Sequence, residues 1–154
     1  MASVHVELIP SSSLERALSA LENPAPILGR TLLAFARRVQ SITREDYLSG
    51  GEGKLKRRTG DLARSVTVDD SELPYAVAVG TDRIYGPVHE FGALIRAKAG
   101  GLMRFGLGVN GGAPFRSARV VRIPARPFLA PAVAQAAPEL LPILEDEARR
   151  EAGL

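Results

Sequence analysis

One apolar stripe constrains the fold of this chain more than any other feature. Its large side chains recur every three or four residues, the spacing of one helix face; they are Leu28, Leu32, Phe35, Val39 and Ile42. The stripe predicts a helix from Pro26 to about Leu48, which would span roughly 30 Å. It is too short for the sustained heptads of a coiled coil. We therefore expect a core helix that lies across a sheet.

Short alternating segments predict the strands of that sheet. Apolar and polar residues alternate over 3–9, 62–69 and 75–79, which is the period of half-buried strands. A polar turn that ends at Pro74 joins the last two segments, so they should form an antiparallel hairpin. Residues 118–123 also have β character.

Helical signals occur near both ends of the chain. Ser12 and Glu15 have the spacing of a capping box and predict a helix over 12–22. Residues 131–151 are helical in composition, but their prolines should break or kink the segment. The 154 residues have the length of one ordinary domain, so we expect a single α+β domain over 1–154. In it, a long N-terminal helix packs on a small antiparallel sheet, with a short central helix, a long glycine-rich loop and a C-terminal helix.

The short central helix is predicted by the sequence Tyr85-Gly-Pro-Val-His-Glu-Phe-Gly92. Gly92 should end it at positive φ, which glycine adopts without a Cβ clash. Tyr85, Val88 and Phe91 recur every three residues, so they predict an apolar face that docks on the sheet. The next two polar residues fall on or near the opposite face.

Those polar residues, His89 and Glu90, raise the question of catalysis. They have the chemistry of a base and its partner, and Ser65 or Thr59 would be the nucleophile. The chain has only two histidines, however, and no residue is marked as a third, orienting group. A catalytic triad or a metal site has too few candidates here. A structural role is the better interpretation, in which Glu90 forms an ion pair with Arg126.

Composition and local sequence patterns argue against several kinds of functional site. The chain has no cysteine, which excludes disulfides and thiolate metal sites and suits a reducing cytoplasm. No segment has the length of a membrane span, and the N-terminus lacks a signal pattern. The letters G-x-G-x-x-G occur over 106–111, but without the preceding strand and following helix that a dinucleotide site needs. We expect no enzyme activity, no cofactor and no metal site.

Basic residues leave one alternative function open. The run Lys54-Leu-Lys-Arg-Arg58 is typical of a solvated loop, but it also fits a small basic nucleic-acid-binding module. The net charge of +3 permits an acidic partner without requiring one.

A glycine-rich loop is predicted over 93–117. A loop of this length inside a compact domain is usually functional or flexible, so we expect it to become ordered on assembly with a neighbouring subunit. Its basic side chains are the candidate interface residues: Arg96, Lys98, Arg104 and Arg116.

Three short motifs follow one another along the chain. The first, R-T-G-D-L with a later serine, contains Arg58, Thr59, Gly60, Leu62 and Ser65. The second is the central helix, with Tyr85, His89, Glu90, Phe91 and Gly92. The third, I-P-A-R-P-F-L with a later proline, contains Arg126, Pro127, Phe128, Leu129 and Pro131. In order and rough spacing, from about Leu14 to the C-terminus, the chain resembles the tail-completion and head–tail joining (tail terminator) proteins of tailed bacteriophages.

The resemblance extends to a second family. The virion morphogenesis family, which completes contractile tails, shares the last two motifs, so both branches fit the sequence. The glycine-rich segment is longer than the pattern of either branch.

The resemblance implies a structural protein rather than an enzyme. It implies a ring of copies, expected to be a hexamer, in the neck of the virion after synthesis in the cytoplasm of the host bacterium. The implied partners are other copies of the chain, the tail tube protein and the head connector or stopper protein. DNA passing through the neck would be contacted without sequence specificity, and no membrane is involved.

Overall fold

The computed structural model describes residues 2–7, 23–51, 55, 59–98, 100–106 and 115–151. The predicted helix over 12–22 lies outside the described residues, as do Arg58 and most of the basic run that it ends.

The predicted long helix is present as α1, Ala25–Ile42, and it continues through a π-helical turn over Thr43–Tyr47. Pro24 and Pro26 favour a helix start at this point. The last three turns of the helix contain no glycine, which favours its continuation. The stripe faces inward, because Leu32, Phe35 and Val39 are fully buried or nearly so. This face forms one wall of the core.

The opposite wall is a three-stranded antiparallel sheet. It consists of β1 (Ala2–Glu7), β2 (Val66–Asp69) and β3 (Ala76–Thr81), in the order β1-β3-β2. Val4 and Val68 both lie opposite Val79 of the central strand. The predicted β2–β3 hairpin is therefore confirmed.

The predicted strand over 62–69 begins four residues late. Residues Asp61–Ser65 instead form the short helix α2. Gly60 stands at φ 80° and ψ 7°, a left-handed turn that glycine adopts readily. The chain enters a helical turn directly after it, and strand geometry starts only at Val66.

The C-terminal segment is helical but interrupted. Helix α4 (Leu129–Ala136), a 3-10 turn (Ala137–Glu139) and helix α5 (Leu140–Glu151) follow one another. The interruption at Pro138 confirms the prediction there, whereas Pro142 lies within α5 without ending it. These helices pack on α1, and ion pairs Arg30–Glu147 and Arg38–Glu139 join them across the surface.

The predicted glycine-rich loop over 93–117 is not a loop throughout. It contains β4 (Ala93–Arg96), β5 (Met103–Gly106) and β6 (Phe115–Ala118), and β7 (Val120–Ile123) follows it. Strands β4 and β7 pair antiparallel as one ribbon, and β5 and β6 as another. The β character predicted over 118–123 is confirmed by β7. The strands β4, β5 and β6 had no clear signal of their own, because each is only four residues long.

These elements together form an α+β fold with one long helix, small antiparallel sheets and a C-terminal helical pair. The short helix α3 (Gly86–Phe91) lies between β3 and the first ribbon. Within the described ranges, no helix combines the length and apolar character needed to cross a membrane.

Candidate functional site

Helix α3 forms where the central motif predicted it. Pro87 lies in its first turn, where a missing N–H costs nothing. The N–H of His89 donates to the carbonyl of Tyr85 at 3.1 Å. The rings of these two residues meet edge to face, with centroids 6.2 Å apart.

The orientation of α3 is the reverse of the predicted one. Phe91 is 74% exposed, whereas Glu90 is only 5% exposed. The apolar residues of this helix therefore do not form its docking face. Its buried contact is polar, because hydrogen-bond donors lie beneath Glu90.

Those donors are three consecutive backbone amides. The N–H groups of Phe128 and Leu129 donate to Oε2 of Glu90 at 2.8 and 3.0 Å. The N–H of Ala130 donates to Oε1 at 2.9 Å. One carboxylate thus binds the start of a helix that is 38 to 40 residues away in sequence.

This arrangement accounts for the whole first turn of α4. The first four N–H groups of a helix have no partner within it. Here they would come from Phe128 at the N-cap and from the next three residues. Glu90 takes three of them, and the fourth position is Pro131, which has no N–H. The negative carboxylate also complements the positive end of the helix dipole.

The cap positions two side chains of the core. Phe128 and Leu129 are fully buried or nearly so, and both belong to the hydrophobic cluster that contains Phe35 and Val39 of α1. The third motif is therefore a helix start whose aromatic and aliphatic residues anchor it. The second motif supplies the acceptor for that helix start.

The predicted ion pair between Glu90 and Arg126 is wrong. The carboxylate is fully engaged by backbone amides, and the backbone N–H of Arg126 donates instead to the carbonyl of His89 at 2.7 Å. The side chain of Arg126 is exposed and makes no ion pair within the described part of the chain.

Gly92 permits the two motifs to approach this closely. It stands at φ 75° and ψ 168°, so the predicted positive φ is confirmed. A Cβ built on it would lie 2.9 Å from the backbone nitrogen of Ala125 and 3.0 Å from the carbonyl oxygen of Ile123. Any side chain would push the proline segment away from α3.

Hydrogen bonds of the first motif hold the segment that leads into β2. The hydroxyl of Thr59 donates to the carboxylate of Asp61 at 2.6 Å. This bond, together with the Arg64 guanidinium, lowers the pKa of Asp61. The hydroxyl of Ser65 lies 2.6 Å from that of Thr81 at the end of β3, so the motif is fastened beside the segment that leads to α3. Leu62 packs against the core.

The predicted interface residues lie on the ribbon strands, except for Lys98, which lies between β4 and β5. Arg96, Lys98, Arg104 and Arg116 are all exposed, and the guanidinium of Arg104 stands 4.6 Å over the ring centre of Phe115. Sequence reasoning missed Arg119 and Arg122, which are also exposed. The signal that would have found them is the absence of any Asp or Glu over 91–138.

The β4–β7 ribbon also borders a groove of about 550 Å³. Phe91, Leu94 and Ile123 provide apolar walls, and Arg122 provides a positive charge. Such a groove suits an apolar side chain that has carboxylates near it.

Acid–base chemistry at the central helix has no geometric support. The Glu90 carboxylate points at amides, as described above, and the pKa of His89 is lowered by burial and by the nearby Arg126. The residues that the structure describes contain no group of three or more His, Cys, Asp or Glu side chains suited to a metal ion.

Replacing Glu90 tests the cap. The substitution Glu90→Ala leaves two buried amides and one half-buried amide without an acceptor, and should lower the free energy of unfolding by about 3 kcal/mol or more. Glu90→Gln keeps one oxygen and should cost less, about 1–2 kcal/mol. Urea denaturation measures both. Glu145→Ala, at an exposed carboxylate on α5, is the control and should stay within about 0.5 kcal/mol. Equal, small effects at Glu90 and Glu145 would contradict the cap.

A matched glycine pair tests the close approach at Gly92. Gly100 has nearly the same φ, 74°, but nothing lies within 4 Å of its added Cβ. Gly100→Ala should therefore show backbone strain alone, about 1–3 kcal/mol. Gly92→Ala adds the collision with Ala125 and a φ and ψ of 75° and 168°, which are essentially confined to glycine, so it should lower the thermal unfolding temperature more. Equal unfolding temperatures for the two variants would show that the close approach at Gly92 has no energetic role.

The lowered pKa of His89 predicts a pH dependence. The unfolded chain binds a proton at this imidazole near pH 6.5, whereas the folded chain binds it only at lower pH. The stabilisation is thus complete above about pH 6.5 and is lost as the pH falls through the folded pKa. Between about pH 7.5 and 5.5, His89→Gln should lose less stability than the wild type. His5→Gln, on β1, controls for loss of an exposed imidazole; equal losses in wild type and His89→Gln would refute the prediction.

Comparison with known proteins agrees with the motif order. A family model described as the phage virion morphogenesis family matches residues 13–144, which include the cap, both ribbons and the first motif. No curated protein and no solved structure gives a significant match. The match confirms the virion morphogenesis branch of the resemblance. The chain belongs to the phage virion morphogenesis family, whose part in tailed phages is structural rather than catalytic.

Proposed function

We propose that this chain completes the phage tail and joins it to the head connector as one subunit of a ring in the neck. The tail tube protein would lie on one side of the ring and the connector or stopper protein on the other. A hexamer is the ring size that we propose.

The distribution of exposed apolar side chains carries this proposal. Large apolar residues that are exposed cluster between residues 84 and 120, and the cluster consists of Ile84, Tyr85, Phe91, Leu94, Ile95, Leu102, Phe115 and Val120. Only Tyr75 and Leu141 lie elsewhere in the described chain. Of this group, Phe91 and Leu94 line one groove, and apolar surface exposed in this way marks an interaction site on a folded protein.

The strand arrangement supports the same conclusion. Each ribbon has only two strands, and an isolated pair of strands is marginally stable in water. Their outer edges also present unpaired backbone groups that neighbouring subunits can cover. A rigid core with two such ribbons suits a component that becomes complete on assembly.

A nucleic-acid-binding module is the second candidate. It is favoured by the uninterrupted basic character of residues 91–138. A module of this kind would bind DNA with an affinity that falls steeply with salt, because bound counterions are released. Retention of the purified protein on duplex DNA at low and moderate salt separates the two candidates: the joining protein should show little retention at either.

Electron microscopy of lysates tests the joining function directly. A phage or prophage that lacks this gene should yield filled heads beside separate tails, with tails that are overlong or ragged at their upper ends. Supplying the wild-type gene in trans should restore joined particles. Normal joined particles without the gene would rule out the joining function and leave nucleic-acid binding as the leading candidate.

A further inference from the structure

Positive charge is segregated within this protein. Residues 91–138 contain seven basic side chains and no acidic one. All seven are exposed: Arg96, Lys98, Arg104, Arg116, Arg119, Arg122 and Arg126. Because the whole chain carries only +3, the remaining residues carry a net negative charge.

The first ribbon combines this charge with apolar surface on one face. In the β4–β7 register, Leu94 lies opposite Arg122, and Arg96 lies opposite Val120. Alternate residues of a strand share a face, so these four side chains project from the same side, and all four are exposed. We call this set the ribbon face; Phe91 and the groove described above adjoin it.

Negative charge is exposed at the turn between β2 and β3. Asp69, Asp70 and Glu72 are all exposed, and Tyr75 beside them is 81% exposed. We call residues 69–75 the acidic turn. It mirrors the ribbon face, since it combines one large aromatic side chain with charges of the opposite sign.

The acidic side chains of α5 and of the 3-10 turn before it are neutralised within the same copy. The carboxylates near the C-terminus pair with Arg30, Arg38, Arg149 and Arg150. Among the described residues, none of the ion pairs involves a carboxylate of the acidic turn. The acidic turn thus presents three exposed carboxylates that form no ion pair in the described part of the chain. Glu45 and Asp46 also form none there, but each accepts a side-chain hydrogen bond, from Ser41 and Gln135 respectively.

Along the chain, the two surfaces are connected to opposite ends of the central strand. The acidic turn leads into β3 at Ala76, whereas α3 and the first ribbon follow its other end at Thr81. Six residues of strand span about 20 Å. Complementary surfaces connected to opposite ends of a strand of this length are suited to contacts between copies.

We propose that the ribbon face of one copy binds the acidic turn of a second copy, head to tail. Tyr75 of the second copy occupies the groove beside Phe91, and its carboxylates lie against Arg96 and Arg122. This inference rests on the proposed ring and identifies the surfaces that build it. Because two different surfaces meet, the contact is heterologous and generates a ring when the rotation between copies closes.

The apolar residues of the ribbon face favour protein over DNA as its partner. DNA backbone binding depends on Lys and Arg contacts to phosphates, and it has no use for exposed Leu94, Val120 and Phe91. Protein interfaces, in contrast, place aromatic and apolar residues at the centre and charges at the rim. The charge complementarity then selects the acidic turn and fixes the direction of docking.

Charge reversal tests the pairing in the phage. The ribbon variant carries Arg96→Glu and Arg122→Glu, and the turn variant carries Asp70→Lys and Glu72→Lys. Neither alone should restore joined particles to a phage that lacks the gene. The four substitutions combined in one chain should restore them, because the reversed surfaces again attract each other. Circular dichroism and thermal melting are the control measurements that test whether each variant is folded.

Cysteine trapping provides an independent measurement, and the chain has no cysteine of its own. A chain with both Tyr75→Cys and Leu94→Cys should give, on oxidation of assembled particles or concentrated protein, a ladder of disulfide-linked oligomers larger than dimers. Each single variant should give no ladder. The pair Leu141→Cys with Leu94→Cys uses another exposed apolar residue and should give none either.

The outcomes separate this inference from the proposed function. If deletion of the gene leaves particles joined, the function itself is wrong. If deletion separates heads from tails, but the ribbon variant restores joining or the Tyr75–Leu94 pair gives no ladder, the function stands and this interface is refuted. A ribbon variant that assembles normally but loses retention on duplex DNA would assign the ribbon face to nucleic acid instead.

Discussion

The first turn of α4 has three backbone N–H groups that need an acceptor, and a single buried carboxylate satisfies all of them. Glu90 comes from the preceding helix, so this contact fixes the distance and angle between α3 and the C-terminal helices. Gly92 permits the close approach of the two segments. Phe128 and Leu129, at the start of α4, are buried in the core against α1. The second and third motifs are therefore two halves of one joint.

The elements that the sequence predicted have local signals. The stripe of α1 and the alternation of β3 each arise from the period of one element. The positive φ of Gly92 follows from the chemistry of glycine alone. All three were confirmed because nothing distant was needed to specify them.

The elements that the sequence missed depend on distant partners. The partners of Glu90 are backbone amides, and backbone amides leave no signal in a sequence. A basic side chain was therefore predicted as its partner. The same error placed Phe91 inside and Glu90 outside. The β character of 118–123 was predicted, but its pairing was not, because β4 and β7 pair across more than twenty intervening residues. Function, by contrast, was indicated by the order of three motifs and not by any single side chain.

The central claim is that the Glu90 carboxylate binds the first turn of α4, and NMR can observe those hydrogen bonds directly. Scalar couplings across the hydrogen bonds, between the amide nitrogens of Phe128, Leu129 and Ala130 and the carboxyl carbon of Glu90, would be measured in isotope-labelled protein. The account predicts a detectable coupling from each of the three amides to the carboxyl carbon of Glu90, and slow hydrogen exchange at all three. Rapid exchange with no coupling to Glu90 would contradict it.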